Sequence, residues 1–115
     1  MSDAPILSAL NLVQNLDGAT DFEKKHTPHL SLEPVGDLTK VSVSVGHYVG
    51  HPNQPDHYIQ WIDVQVNGNS IARFDLAPVA AEPVVSVCVR LEPGTTVRAI
   101  EYCNLHGVWA AEAVV

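Results

Sequence analysis

The stretch "VSVSV" at 41–45 sets Val41, Val43 and Val45 on one side of the chain and Ser42 and Ser44 on the other. A period of two fits an extended strand with one buried face, because successive side chains of a strand point to opposite sides. The run "YIQWIDVQV" at 58–66 repeats the pattern, with Ile62, Val64 and Val66 on one face and Trp61, Asp63 and Gln65 on the other. "NGN" at 67–69 follows it, and Asn-Gly supplies the positive backbone angles that a tight hairpin needs. Further strand candidates are "IARFDL", "VVSVCVRL" and "TVRAIEYC", separated by "APVAAEP" and "EPG". Short strands punctuated by Pro and Gly predict an all-β chain, an antiparallel β-sandwich of the immunoglobulin-like kind.

Residues 5–16, "PILSALNLVQNL", break that rhythm. Ile6, Ala9, Leu10, Val13 and Leu16 recur at helical spacing, Pro5 suits a first turn and Gly18 a terminus. The spacing predicts a short N-terminal helix within an extension over residues 1–20, packed on the rest of the domain or on a second copy. At 115 residues, without an internal repeat or a linker-like stretch, the chain is expected to be a single domain spanning 1–115.

Thirteen acidic residues against six basic ones give a formal charge of −7, which argues against a nucleic-acid partner, since phosphates call for clustered Lys and Arg. No apolar run is long enough to span a membrane, and the N-terminus lacks the basic start of a secretory signal. The expected location is the cytoplasm, with neither membrane nor nucleic acid as partner. Cys88 and Cys103 are the only cysteines, too few for a disulfide framework.

Histidine is the residue type that carries chemistry here. His26 and His29 fall in "KKHTPHL", His47, His51 and His57 in "GHYVGHPNQPDHY", and His106 with Cys103 in "EYCNLHGVW". All three are punctuated stretches at strand ends, where a sandwich displays its functional loops. Cys103 and His106 are either a packing pair or two ligands of a metal whose others lie elsewhere. Structural zinc is disfavoured, because one cysteine near several histidines does not make the paired thiolates of a finger or ribbon. Several imidazole nitrogens with a single sulfur point instead to iron or copper. Copper is the poorer reading, since the sole methionine is Met1 and no axial thioether is available.

Taken jointly, "KHTP" at 25–28, "GHPNQPDHYIQWI" at 50–62 and "YCNLHGVWAAE" at 102–112 resemble the superoxide reductase family, the neelaredoxins and the iron domain of desulfoferrodoxins. The motifs run from about residue 22 onward, in the family's order and with similar spacing. The resemblance implies a mononuclear non-haem iron, Fe2+ or Fe3+, with four equatorial histidine ligands on His26, His51, His57 and His106 and an axial thiolate on Cys103. His29 and His47 match no ligand position, and Cys88 reads as structural. The resemblance places Lys25 near the open iron position, where it attracts the anionic substrate. The family's glutamate position is occupied by Lys24, and Glu23 stands one residue too early, so the sixth position is expected to hold water, hydroxide or nothing. The small cysteine-rich domain of desulfoferrodoxins has no counterpart here.

The implied activity is reduction of superoxide to hydrogen peroxide, a detoxifying oxidoreductase reaction. The implied electron donor is a small redox protein such as rubredoxin, and the implied assembly a homo-oligomer, dimer or tetramer. The alternative of a different class is a non-catalytic iron-binding or electron-transfer protein on the same sandwich, which fold alone does not separate. A net charge of −7 does not repel the substrate, since one unit charge at ~4 Å and an effective dielectric of about 20 contributes ~4 kcal/mol while charges beyond ~8 Å are largely screened. Backbone amides of Asn104 and Leu105 are expected to donate to the Cys103 sulfur, and Tyr58, Trp61, Tyr102 and Trp109 to build core.

Overall fold

The computed structural model describes residues 10–115. Strands β1 (Leu10–Leu12), β4 (Ile59–Val66), β5 (Asn69–Asp75), β7 (Thr96–Cys103) and β8 (Gly107–Val114) form one sheet in the order β1-β8-β7-β4-β5. Strands β2 (His29–Val35), β3 (Leu38–Ser44) and β6 (Val84–Val89) form the other, in the order β2-β3-β6. Every pairing is antiparallel except that of β1 with β8, which is parallel.

The two sheets close on a core made by the predicted alternation. Val41 and Val43 of β3 meet Ile62 and Val64 of β4 and Val97 and Ala99 of β7, none more than 1% exposed. Each Val or Ile buried so fully contributes roughly 1.5–3 kcal/mol. Asn67 and Gly68, at φ 53° and 79°, make the hairpin turn between β4 and β5 that Asn-Gly predicts. On the outer face of β4, Asp63 is 5% exposed, and its carboxylate accepts from the Ser70 hydroxyl and the Gln65 amide. Those donors make its burial tolerable.

The expected N-terminal helix is corrected where it can be followed. Residues 5–9 lie outside the described residues, while Leu10–Leu12 is strand β1 and Leu16–Gly18 a single 3-10 turn. The open edge of β8 offers backbone partners to this stretch, pairing Leu10 with Val108 and Leu12 with Ala110. Asn11 Nδ2 adds a hydrogen bond of 3.0 Å to the Val108 carbonyl. Ladder pairing thus overrides a helical spacing that at this length supplies little stability alone. The helix that does form, α1 (Asp21–His26), carries a capping box at its start. Thr20 Oγ1 accepts from the Glu23 amide at 3.1 Å, and Glu23 Oε1 accepts from the Thr20 amide at 3.0 Å.

Candidate metal centre

Three separated stretches converge at one end of the sandwich. Helix α1 ends on His26, the β3–β4 connection carries His51 and His57, and β7 ends on Cys103 just before the turn that holds His106. The pairing of Ile59 with Cys103, and of Cys103 with Gly107, brings the start of β4, the end of β7 and the start of β8 together. Gly46, at φ +84°, lets the β3–β4 connection fold back on itself, because a Cβ there would lie 2.9 Å from the His51 amide nitrogen.

Four imidazoles form a closed ring. Centroid separations run 4.9 Å from His26 to His51, 4.9 Å from His51 to His57, 5.1 Å from His57 to His106 and 4.9 Å from His106 to His26. Neighbouring planes are steeply inclined, at 73° to 83°. Donor atoms of His26, His57, Cys103 and His106 all lie within 4.8 Å of one another. His106 Nδ1 is 3.1 Å from His26 Nε2 and 3.8 Å from Cys103 Sγ. His51 stands outside that tighter set but closes the imidazole ring, with its Nε2 buried and unpartnered, as is Nε2 of His57.

Local hydrogen bonds choose which nitrogen faces inward. His26 Nδ1 lies 2.8 Å from the Phe22 carbonyl and His51 Nδ1 2.6 Å from the Pro52 carbonyl. A carbonyl can only accept, so both Nδ1 atoms carry the proton and both Nε2 atoms present a lone pair. Phe22 and Trp109 wall the site: Trp109 stacks on His26 at 5.1 Å, Phe22 lies 4.9 Å edge-on from His106, and Trp109 Nε1 donates to the His106 carbonyl at 3.0 Å. Trp109, read as core, is 4% exposed and serves as both core and wall.

Electrostatics keep the imidazoles neutral. Burial lowers the pKa of His26 and of His51 to about 4, against the hydrogen bonds to Phe22 and Pro52 that raise it. Burial also lowers those of His57 and His106, and the positive charge of Lys25 depresses His51, His57 and His106 further. Lys25 is thus near enough for its charge to act on three of the four rings. Burial pushes the Cys103 thiol up, while amides of Leu105 and His106 oppose it. The amide donors differ from the expected pair. Leu105 is retained, but the Asn104 amide donates to the Tyr58 carbonyl at 3.2 Å, and the His106 amide takes its place.

The remaining candidates fall elsewhere. His29 and His47 stack on each other at 3.8 Å beside Tyr48, apart from the ring. Cys88 is exposed on β6. Lys24 lies on α1, and the Glu23 carboxylate is engaged in the capping box. Three contributors carry no motif signal of their own, Phe22, Gly46 and Asn104. Only the capping box Thr20-x-x-Glu23 was readable ahead of Phe22, as a sign of a helix start.

Four neutral nitrogen donors around one sulfur, two of those nitrogens buried without a partner, suit a single borderline transition metal, which would itself ionise the thiol. Fold and site together define a β-sandwich protein with a histidine–cysteine group that could hold a metal ion. Residues 18–112 match the desulfoferrodoxin family. A superoxide reductase from Pyrococcus horikoshii is 33% identical over 98 residues, covering 77% of this chain and 85% of its own. The desulfoferrodoxin of Nitratidesulfovibrio vulgaris is 39% identical over 98 residues, covering 84% of this chain and 70% of its own. The solved superoxide reductase from Nanoarchaeum equitans superposes with a TM-score of 0.78 at 32% identity, covering 93% of this chain and all of the other. The chain belongs to the desulfoferrodoxin family, among the superoxide reductases.

Proposed function

We infer that this chain is a superoxide reductase, an oxidoreductase that adds one electron and two protons to superoxide and releases hydrogen peroxide. The observation that carries the reading is the closed ring of four neutral imidazoles with the Cys103 sulfur beside it. His26, His51, His57, His106 and Cys103 would hold the iron, which would supply the one electron that superoxide takes up.

The residues of the chain do the rest. Hydrogen bonds to Phe22 and Pro52 fix two rings with Nε2 inward, so two of the donors are oriented before metal arrives. Neutral imidazoles add no charge of their own, which leaves the Lys25 ammonium to set the local field and draw in the anion. His51, His57 and His106 are only partly buried, so solvent reaches the ring and can deliver protons to the departing product. Amides of Leu105 and His106 bond the sulfur and temper its donation. Glu23 is occupied at the start of α1, which leaves the side facing Lys25 without that carboxylate.

The finer assignments follow the family likeness. Re-reduction by a small redox protein such as rubredoxin, a homo-oligomeric state, a role in oxidative stress and a cytoplasmic location fit a chain of charge −7 in which, among the described residues, no helix is long and apolar enough to cross a membrane. Stopped-flow mixing of the ferrous protein with superoxide tests the activity. Fast oxidation with peroxide and without oxygen is expected; oxidation no faster than in a His57→Ala protein would replace the enzyme by an electron carrier.

A further inference from the structure

Asn104 lies between two of the inferred ligands, and its side chain reaches across to a third. Asn104 Oδ1 accepts from the Tyr58 amide at 2.9 Å, and Asn104 Nδ2 donates to the Asp56 carbonyl at 2.9 Å. The backbone amide of Asn104 donates to the Tyr58 carbonyl at 3.2 Å. Asp56 and Tyr58 are the residues immediately before and after His57. One side chain therefore grips both peptide neighbours of His57, while its own backbone connects Cys103 to the turn that holds His106.

The connection carrying His57 is tied elsewhere at Asn53, which bonds the Val79 amide and the Ala81 carbonyl, but His57 itself is otherwise held only from within the connection, by Gln54. Between Val45 and Tyr58 the only ladder-type pairing among the described residues is the isolated bridge of Gln54 with His57. The β7–β8 turn, by contrast, is anchored by a paired strand on each side, so it can serve as the fixed half of a clamp. Both side-chain bonds are short enough to be well formed, and together they engage both ends of the primary amide, its oxygen as acceptor and its nitrogen as donor.

We propose that Asn104 is a positioning residue that sets the distance between His57 and the Cys103–His106 pair, and through it the metal affinity and the electronic character of the centre. The proposal rests on the ligand assignment above. It assigns Asn104 no contact with substrate or metal.

The test uses the full apo chain titrated with Co2+, a probe whose visible bands report coordination geometry and whose near-ultraviolet band reports thiolate ligation. Asn104→Ala is expected to bind Co2+ about 10–100-fold more weakly, with displaced visible bands, as is usual when an outer partner of a ligand is lost. Asn104→Asp keeps the acceptor for Tyr58 but loses the donor to Asp56, and is expected to fall between Asn104→Ala and the parent. A merely structural role would lower the melting temperature of the apo protein and leave affinity and bands of the folded protein unmoved; that result in either variant overturns the proposal. Asn104→Asp is close to isosteric and decides the matter alone if Asn104→Ala does not fold. A parent protein whose near-ultraviolet band survives Cys103→Ser would instead remove the ligand assignment, and the proposal with it.

Discussion

Glu101 and Cys103, two residues apart on β7, face the same core, each with 0% of its surface exposed. Neither Glu101 oxygen has a hydrogen-bond partner, and burial raises the carboxyl pKa well above the ordinary range. Such a group stays protonated in the folded chain at pH values where the unfolded chain has ionised it. Glu101 alone therefore contributes a loss of apo stability as pH rises above the ordinary carboxylate range, ~1.4 kcal/mol per unit until the folded group ionises, opposed over the same range by the buried imidazoles, whose lowered pKa values make stability rise with pH. Glu101→Gln removes this slope. Denaturant melts at pH 5, 6 and 7 should show the variant gaining on the parent at each step; parallel lines would mean that Glu101 is ionised in the folded state.

Cys103→Ser replaces the only buried thiol near the imidazole ring. The iron-loaded variant is expected to lose its visible thiolate-to-iron absorption and to react with superoxide more slowly by more than the ~10–100-fold typical of changes outside the ligand set. Absorption spectra of the oxidised protein and stopped-flow traces check both together. Retention of colour and rate would remove sulfur from the centre.

Lys25 depresses three of the four ring imidazoles, so its charge is felt across the opening. Lys25→Ala should slow superoxide capture roughly tenfold at low salt, the lower end of what electrostatic steering provides. The parent rate should fall with ionic strength and the variant's rate much less. Equal salt dependence in the two proteins would deny Lys25 a steering role.

Val79, a β-branched residue, holds φ 67° with 56% of its surface exposed. Asn53, in the same connection as His51 and His57, keeps it there: the Val79 amide donates to Asn53 Oδ1 at 2.7 Å, and Asn53 Nδ2 donates to the Ala81 carbonyl at 3.2 Å. Left-handed backbone costs such a residue of order 1–3 kcal/mol, and glycine adopts it freely at an entropic cost of roughly 0.5–1 kcal/mol. Val79→Gly is accordingly expected to stabilise the protein by about 1 kcal/mol in chemical denaturation. A lower midpoint would show that the valine side chain is held by contacts worth more than the strain.

The sandwich was legible wherever alternation was strong. Val41, Val43, Ile62 and Val64 sit in the core that their spacing predicts, and Asn67-Gly68 turns where it should. β2 was not anticipated, because Glu33 and Pro34 interrupt its pattern, nor was β8, whose "GVWAAEAV" is rich in alanine, a poor strand former. The six residues of α1 are too few to show a helical period, and its capping box was the only trace. The apolar spacing at Leu10 pointed to the wrong element, since the pairing that settled it lies at Val108, far along the chain. At the site, residue types pointed to histidine and cysteine chemistry, and it was the resemblance carried by three motifs in order that proposed the five ligands. What joins them was not legible: the Asn104 clamp, the close approach at Gly46 and the Phe22 wall depend on contacts between segments that no local spacing encodes.

His26 and His106 are separated by 80 positions in the chain and by 3.1 Å between ring nitrogens. During synthesis the donors emerge in three instalments, and the last does not appear until residue 106 has left the ribosome. Until β7 has zipped onto β4, a partly made chain offers a metal only short-range pairs such as Cys103 with His106, which bind weakly and without selectivity. A metal bound by all of these donors would therefore depend on completed closure of the two sheets.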